Sequence, residues 1–164
     1  MASDAVSRAA VRAELAAKLT AGLVGTGKPA AAVFGYRVFD FAGLSPAVVI
    51  APAGTSRTQT TMNSTARDVE MVFDVLCFVL ASDAAAGVTE SDTENIIDAL
   101  EKAIADIVQD NVTNHSPSVS GGGWDTLQTA GPCLDDSVVT PAIGNVGGAV
   151  YKRLIVPLRV TRLD

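Results

Sequence analysis

One segment constrains this chain more than any other: the run Asp68 to Leu80, DVEMVFDVLCFVL, in which every odd position from Val69 to Val79 is apolar. Alternation at period two is the signature of a β-strand with one buried face. A slip of one residue would turn the whole apolar row toward water, so the register of this strand is strongly specified. Its even positions begin with Asp68, Glu70 and Asp74, with Val72 between them, and end with Leu76, Phe78 and Leu80. The second face is therefore expected to be wet at the start of the strand and covered at its end. A strand of this kind needs a sheet around it and a layer packed on it.

The rest of the chain supplies both. A helix is expected from a cap at Ser3 or Asp4 to about Leu23, with Val11, Leu15, Leu19 and Leu23 as its apolar stripe and Glu14 and Lys18 to one side. Gly25, Gly27 and Pro29 end it. The GTGKP run there lacks both a preceding strand and phosphate-loop spacing. Val33 to Phe41 reads as a strand, and Gly43 with Pro46 as a turn. Ala47 to Ala51 reads as a short buried strand. Pro52 to Arg67, rich in Thr and Ser with two Arg and no acid, reads as an exposed loop or an extended hairpin arm. Ser91-Asp92-Thr93-Glu94 has the form of a capping box, and the helix after it carries Ile96, Ile97, Leu100, Ala103, Ile104, Ile107 and Val108 on one stripe. Asp98 and Lys102 are spaced to pair along it. Asn111 to Gly123 is a polar loop, Trp124 to Thr129 a short strand, and Pro132 to Asn145 irregular. Val150 to Thr161 closes the chain as a strand. Pro157 lacks a donor, which places that strand at an edge or gives it a bulge. This order predicts an α+β fold: a mostly antiparallel sheet with two principal helices packed on one face, in a single domain over 1–164 with an exposed arm at about 52–67.

Composition narrows the function classes. Apolar residues make up 48% and mean hydropathy is +0.32, while charged residues are only 18%. Disordered chains are polar and charged, so that class is excluded. Two cysteines do not make a disulfide scaffold, and Cys77 and Cys133 read as reduced thiols. The longest charge-free apolar stretch, Phe41 to Ser56, is broken by Gly43, Pro46, Pro52 and Gly54, so no membrane span is expected. Asp4, Arg8, Arg12 and Glu14 interrupt any secretory leader, which implies a cytoplasmic site of synthesis and gives Asn63-Ser-Thr65 and Asn111-Val-Thr113 no role as glycosylation sites. Sparse charge beside abundant apolar area suggests a surface shared with a partner or another copy.

The net charge of −6 is polarised. Residues 1–82 carry seven Lys/Arg against six Asp/Glu, residues 83–136 one against eleven, and residues 137–164 four against one. An acidic middle argues against a groove that grips nucleic acid, since phosphates need clustered Lys/Arg. It permits a surface that DNA slides past.

No constellation for catalysis stands out. His115, the single histidine, lies in a Ser-rich loop with neither cysteine near it in sequence. Two Cys and one His lack zinc spacing. Asp135-Asp136 is read as solvated acid, and Asp68, Glu70 and Asp74 as a structural or interface row. Trp124 is assigned to the core ahead of an interface role. The expectation is no enzyme, no cofactor and no metal.

Five segments carry a resemblance: SRAAVRAELAAKL, LSPAVVIAP with the Thr-rich arm behind it, RDVEMVFDVLCFVL, ENIIDALEKAIADIV and YKRLIVPLRVTRL. In their order the chain resembles the tail terminator, or tail completion, proteins of long-tailed bacteriophages. The resemblance spans most of the chain and is one of pattern. It implies a virion protein assembled in the host cytoplasm as a homo-oligomeric, sixfold ring. Such a ring caps the tail tube protein, stops its growth and docks the head connector or head-completion protein, while genomic DNA passes through the lumen unbound. The alternatives are another neck or tail component, namely a head-completion or tube protein, and a small cytoplasmic enzyme or ligand-binding domain. Arg57, Gln59, Thr60 and Met62 on the arm, with Tyr151, Arg153 and Arg159 on the outward face of the last strand, are the expected contacts with a neighbouring subunit or the tube. Removing Thr55 to Ser64 is expected to leave the fold intact and abolish the ring.

Overall fold

The computed structural model describes residues 5–38, 41, 44–62, 65–81, 87–139 and 150–164. Helix α1 spans Arg8–Leu23, and strand β1 is Ala32–Phe34. Strands β2 (Ala47–Gln59) and β3 (Arg67–Leu80) form a long hairpin. Helix α2 is Glu90–Asp110, followed by β4 (Thr126–Thr129), β5 (Leu134–Val139) and β6 (Val150–Leu163). The strands make one sheet in the order β1-β2-β3-β6-β4, with β5 also on β6. Only the β1–β2 pair is parallel; the others are antiparallel, so the fold is α+β on a mixed sheet.

Strand β3 is the spine. Its odd positions Val69, Met71, Phe73, Val75, Cys77 and Val79 are all buried, and α1 and α2 both pack on that face. From β6 the residues Leu154, Val156, Leu158 and Val160 join the same core. The register explains this: Phe73 stands opposite Leu158, and Cys77 opposite Leu154. The helices answer with their stripes: Val11, Leu15, Leu19 and Leu23 are fully buried, as are Leu100 and Ile104. Burial of each such side chain stabilises by about 1.5–3 kcal/mol.

Several expectations need correcting. Ser3 and Asp4 lie outside the described residues; α1 is capped by Ser7, whose Oγ accepts from the Ala10 N–H at 3.3 Å. The strand expected over Val33 to Phe41 is only Ala32–Phe34, because Gly35 to Val38 leave the sheet; 39 and 40 lie outside the described residues. The strand expected to stop at Ala51 runs on to Gln59, so of the two readings of Pro52 to Arg67 the extended hairpin arm holds and the loop does not. Pro52 and Gly54 are absorbed as a register shift in β2. The capping box at α2 sits two residues earlier than expected: Thr89 caps and Asp92 answers, its Oδ2 accepting the Thr89 N–H at 2.8 Å. Lys102 pairs with Asp106 at 2.7 Å, not with Asp98. The segment expected to be irregular from Pro132 contains β5, and residues 140–145 lie outside the described residues.

The closing strand is not an edge. β6 has β3 on one side and β4 with β5 on the other. Pro157 is tolerated because its carbonyl accepts from Ala130 N–H (2.8 Å) just beyond β4. A strand residue points its N–H and C=O to the same side, so the missing donor faces the junction between β4 and β5, where no ladder bond is required.

Candidate functional site

Two places on this framework carry polar or apolar groups that the core does not consume: the loop against α1, and the sheet face opposite the helices.

The first is built around Glu14. Its side chain is fully buried, although it belongs to the amphipathic helix α1. It accepts from Asn114 Nδ2 (3.0 Å), Ser118 Oγ (2.7 Å) and the Val119 N–H (2.9 Å), and Lys18 Nζ stands 3.8 Å away. Burial by itself raises the carboxyl's pKa, but the hydrogen bonds from Ser118, Val119 and Asn114 outweigh it and hold the group below its ordinary value. Gly122 and Gly123 allow the close approach: a Cβ on Gly122 would lie 2.8 Å from the Ala10 carbonyl oxygen, and one on Gly123 would lie 2.5 Å from that of Asn114. Trp124 then enters the core and donates Nε1–H to Asn111 O at 2.9 Å. This agrees with the assignment of Trp124 to the core. A polar cavity of about 310 Å³ opens beside the loop, lined by His115, Asp125 and Arg162 among others. His115 Nδ1 is 3.7 Å from Asp125 Oδ1, and Arg162 Nη1 donates to the carbonyls of Gly121 (3.0 Å) and Gly123 (3.2 Å). The cavity wall holds neither cysteine, and its guanidinium is engaged by backbone carbonyls. Among the described residues no group of three or more His, Cys, Asp or Glu side chains is arranged to hold a metal ion.

The second place is the other side of the sheet. The even residues of β3 and the odd residues of β6 point there, opposite the helices. At one end Phe34, Phe41, Phe78 and Tyr151 form an aromatic cluster with Ala47 and Val49. Phe41 and Phe78 lie 4.8 Å apart, and Phe41 meets Tyr151 edge-on at 5.6 Å. Beyond this cluster the face is apolar and half-buried at Val72, Leu76, Ile155 and Pro157, with Leu134 57% exposed beside them. Among the described residues no helix packs on it. Two ion pairs flank it. Arg153 makes a two-pronged contact with Asp136, with Nε to Oδ1 at 2.8 Å, and Arg159 Nε approaches Glu70 Oε1 at 3.3 Å. The Arg153 hydrogen bonds hold the Asp136 carboxyl below the usual range.

The seven residues expected at an interface are distributed as follows. Tyr151 is only 4% exposed and belongs to the aromatic cluster, so it is not a surface residue of the chain. Arg153 and Arg159 do share its face of β6 but hold Asp136 and Glu70 across the sheet. Arg57 points toward the helix side, where Nη2 donates to Val6 O at 2.7 Å and Nη1 lies 3.7 Å from Asp164. It ties both ends of the described chain to β2. Gln59 is the exposed last residue of β2, opposite Arg67. Thr60 closes the hairpin turn through its N–H to Ala66 O at 3.2 Å. Met62, 93% exposed, stands at the tip. The structure therefore brings Arg153 and Arg159 together on the half-bare face and places Gln59, Thr60 and Met62 at the far end of the hairpin.

Seven of the eleven acids in residues 83–136 belong to α2. Glu90, Asp92, Glu94, Asp98, Glu101, Asp106 and Asp110 are all exposed on α2. Lys152 of β6 reaches Glu94, and Lys102 is the single cation on the helix. Among the described residues no helix is long and apolar enough to cross a membrane. No family model matches the chain, and no curated protein matches it.

Proposed function

We propose that this chain is a structural subunit of a long-tailed bacteriophage, a tail terminator that assembles into a ring, caps the tail tube and receives the head connector. The observation that carries the reading is the sheet face opposite the helices: apolar, half-buried and, among the described residues, without a helix on it. Burying such a face is worth about 25 cal/mol per Å² of apolar area removed from water, which favours association with copies of the chain or with a tube end. Two further features support the same reading. The acidic face of α2 suits a channel wall past which DNA moves without adhering, because like charge keeps phosphates away. The hairpin β2–β3 projects Met62 from the body, as a subunit arm would.

The test is assembly of the purified protein, followed by sedimentation and negative-stain microscopy, alone and with tail tubes. Closed rings that bind tube ends and stop elongation are expected. Long filaments formed by the protein alone would identify a tube subunit instead. A protein that stays monomeric at high concentration and ignores tube ends would overturn the reading.

A further inference from the structure

Among the described residues, two stretches of the sheet's outer edge, one on β2 and one on β5, stand on a diagonal without a partner strand. On one side, β1 covers β2 only from Ala47 to Val49. Beyond that, among the described residues, no backbone group pairs with the outer side of β2 over Thr55 to Thr58, a regular run that follows the bulge at Pro52/Gly54. On the other side, the outer edge of β4 is closed by the Leu127 N–H to Val112 O bond at 2.8 Å. The outer edge of β5 is not closed among the described residues, and its exposed residues Leu134 to Ser137 face solvent. β5 lies against the first half of β6, while the free half of β2 lies against the first half of β3 and so stands level with the last half of β6. An exposed strand edge is a template for another chain.

We infer that β5 of one copy pairs antiparallel with Thr55 to Thr58 of the next, which rests on the ring reading above and names its joint. Four properties fit the two edges to each other. They differ in identity and sit on opposite sides of the sheet, so the contact is head-to-tail, and a contact of that kind closes into a ring or runs on as a filament. Their directions agree: β2, β3, β6 and β5 alternate up and down, so a neighbour rotated about a ring axis presents its β2 antiparallel to β5. The diagonal offset supplies the stagger that a closed sheet requires. The side chains also share faces. Asp135 stands opposite Leu154, and Arg57 opposite Val69, which places both on the helix side of a continued sheet. With Asp135 beside the neighbour's Arg57, Thr55 falls across from Ser137.

Crosslinking tests this joint. A C133S background removes the half-exposed native thiol; Cys77 is buried, which pushes its thiol up to about 12 and out of reach of thiol reagents at neutral pH. In that background the double variant T55C/S137C, treated with a short thiol-to-thiol linker, gives a ladder of covalent dimers, trimers and larger species. T55C or S137C alone stays monomeric on a denaturing gel. D135K, which sets a cation beside Arg57, lowers assembly at least tenfold, and adding T55E restores part of it. Dimers from T55C alone would show like edges pairing and overturn the inference. Rings that form without any ladder would overturn the joint and leave the ring reading standing. A wild-type chain that sediments as a monomer would overturn both.

Discussion

At the residue scale, Glu14 separates what is legible in the chain from what is not. The four-residue spacing of Val11, Leu15, Leu19 and Leu23 marks the buried stripe, and all four are fully buried. Glu14 reads from sequence as a flanking charge, yet it follows Val11 by three residues and sits inside the same stripe. That spacing is the signal that an acid there needs buried partners. Those partners come from residues about a hundred positions away, which no local pattern announces. Replacing Glu14 with Gln leaves donors from Asn114, Ser118 and Val119 poorly matched and costs about 1–3 kcal/mol. For a chain of this length that lowers Tm by about 2–4 °C per kcal/mol. The pH dependence has a definite sign. The folded pKa lies below the ordinary value of 4.5, so the carboxylate's contribution is complete above that pH and is lost as pH falls through the folded value. Urea unfolding of wild type and E14Q should therefore differ most near neutrality and converge in acid. A gap that widens as pH falls would contradict this account. Gly123→Ala tests the close approach of the same loop: its Cβ would meet the Asn114 carbonyl, and a loss of about 1–3 kcal/mol is expected from crowding.

At the element scale, the long strand β3 and both helices were readable because their apolar period is long and uninterrupted. The boundaries were less so, for physical reasons. β2 continues past Ala51 because Thr and Ser on a paired, solvent-facing strand carry no apolar alternation, although they suit a pleated backbone. β5 was hidden because Asp135 and Asp136 in LDDSVV break the alternation; Asp136 is held by Arg153 on the neighbouring strand. β6 reads in sequence as an edge or a bulged strand because Pro157 lacks a donor, and the junction of β4 and β5 beside it makes a central position tolerable. The true cap of α2 gives a direct test: Thr89→Ala should cost about 1 kcal/mol, while Ser91→Ala, one of the residues expected to cap, should stay within about 0.5 kcal/mol. Thermal melts of the two variants decide between them. The hairpin changes the expected outcome of a deletion. Removing Thr55 to Ser64 takes away five residues paired with β3, Arg57 among them, so it lowers stability as well as any assembly. Met62→Ser, which touches nothing in the core, is the better probe of the tip: an unchanged Tm is expected, with any effect confined to binding.

At the scale of the whole molecule, the chain places its two helices on one side of the sheet and leaves the other side half-bare. The sequence indicated the imbalance through sparse charge and abundant apolar residues, but not its location. Leu76 and Ile155 belong to runs that look core-like in sequence, and the faces they occupy emerge only from the pairing of β3 with β6. Arg153 and Arg159 lie on the half-bare face, whereas Tyr151 is buried and Arg57 holds the ends of the chain. We propose that this molecule associates with copies of itself through the surface its helices leave bare. Sedimentation velocity of the purified wild-type chain over a hundredfold concentration range tests it most directly. The account predicts a discrete, closed oligomer that persists on dilution and appears as rings in negative stain; a single species of 16.8 kDa at every concentration would contradict it.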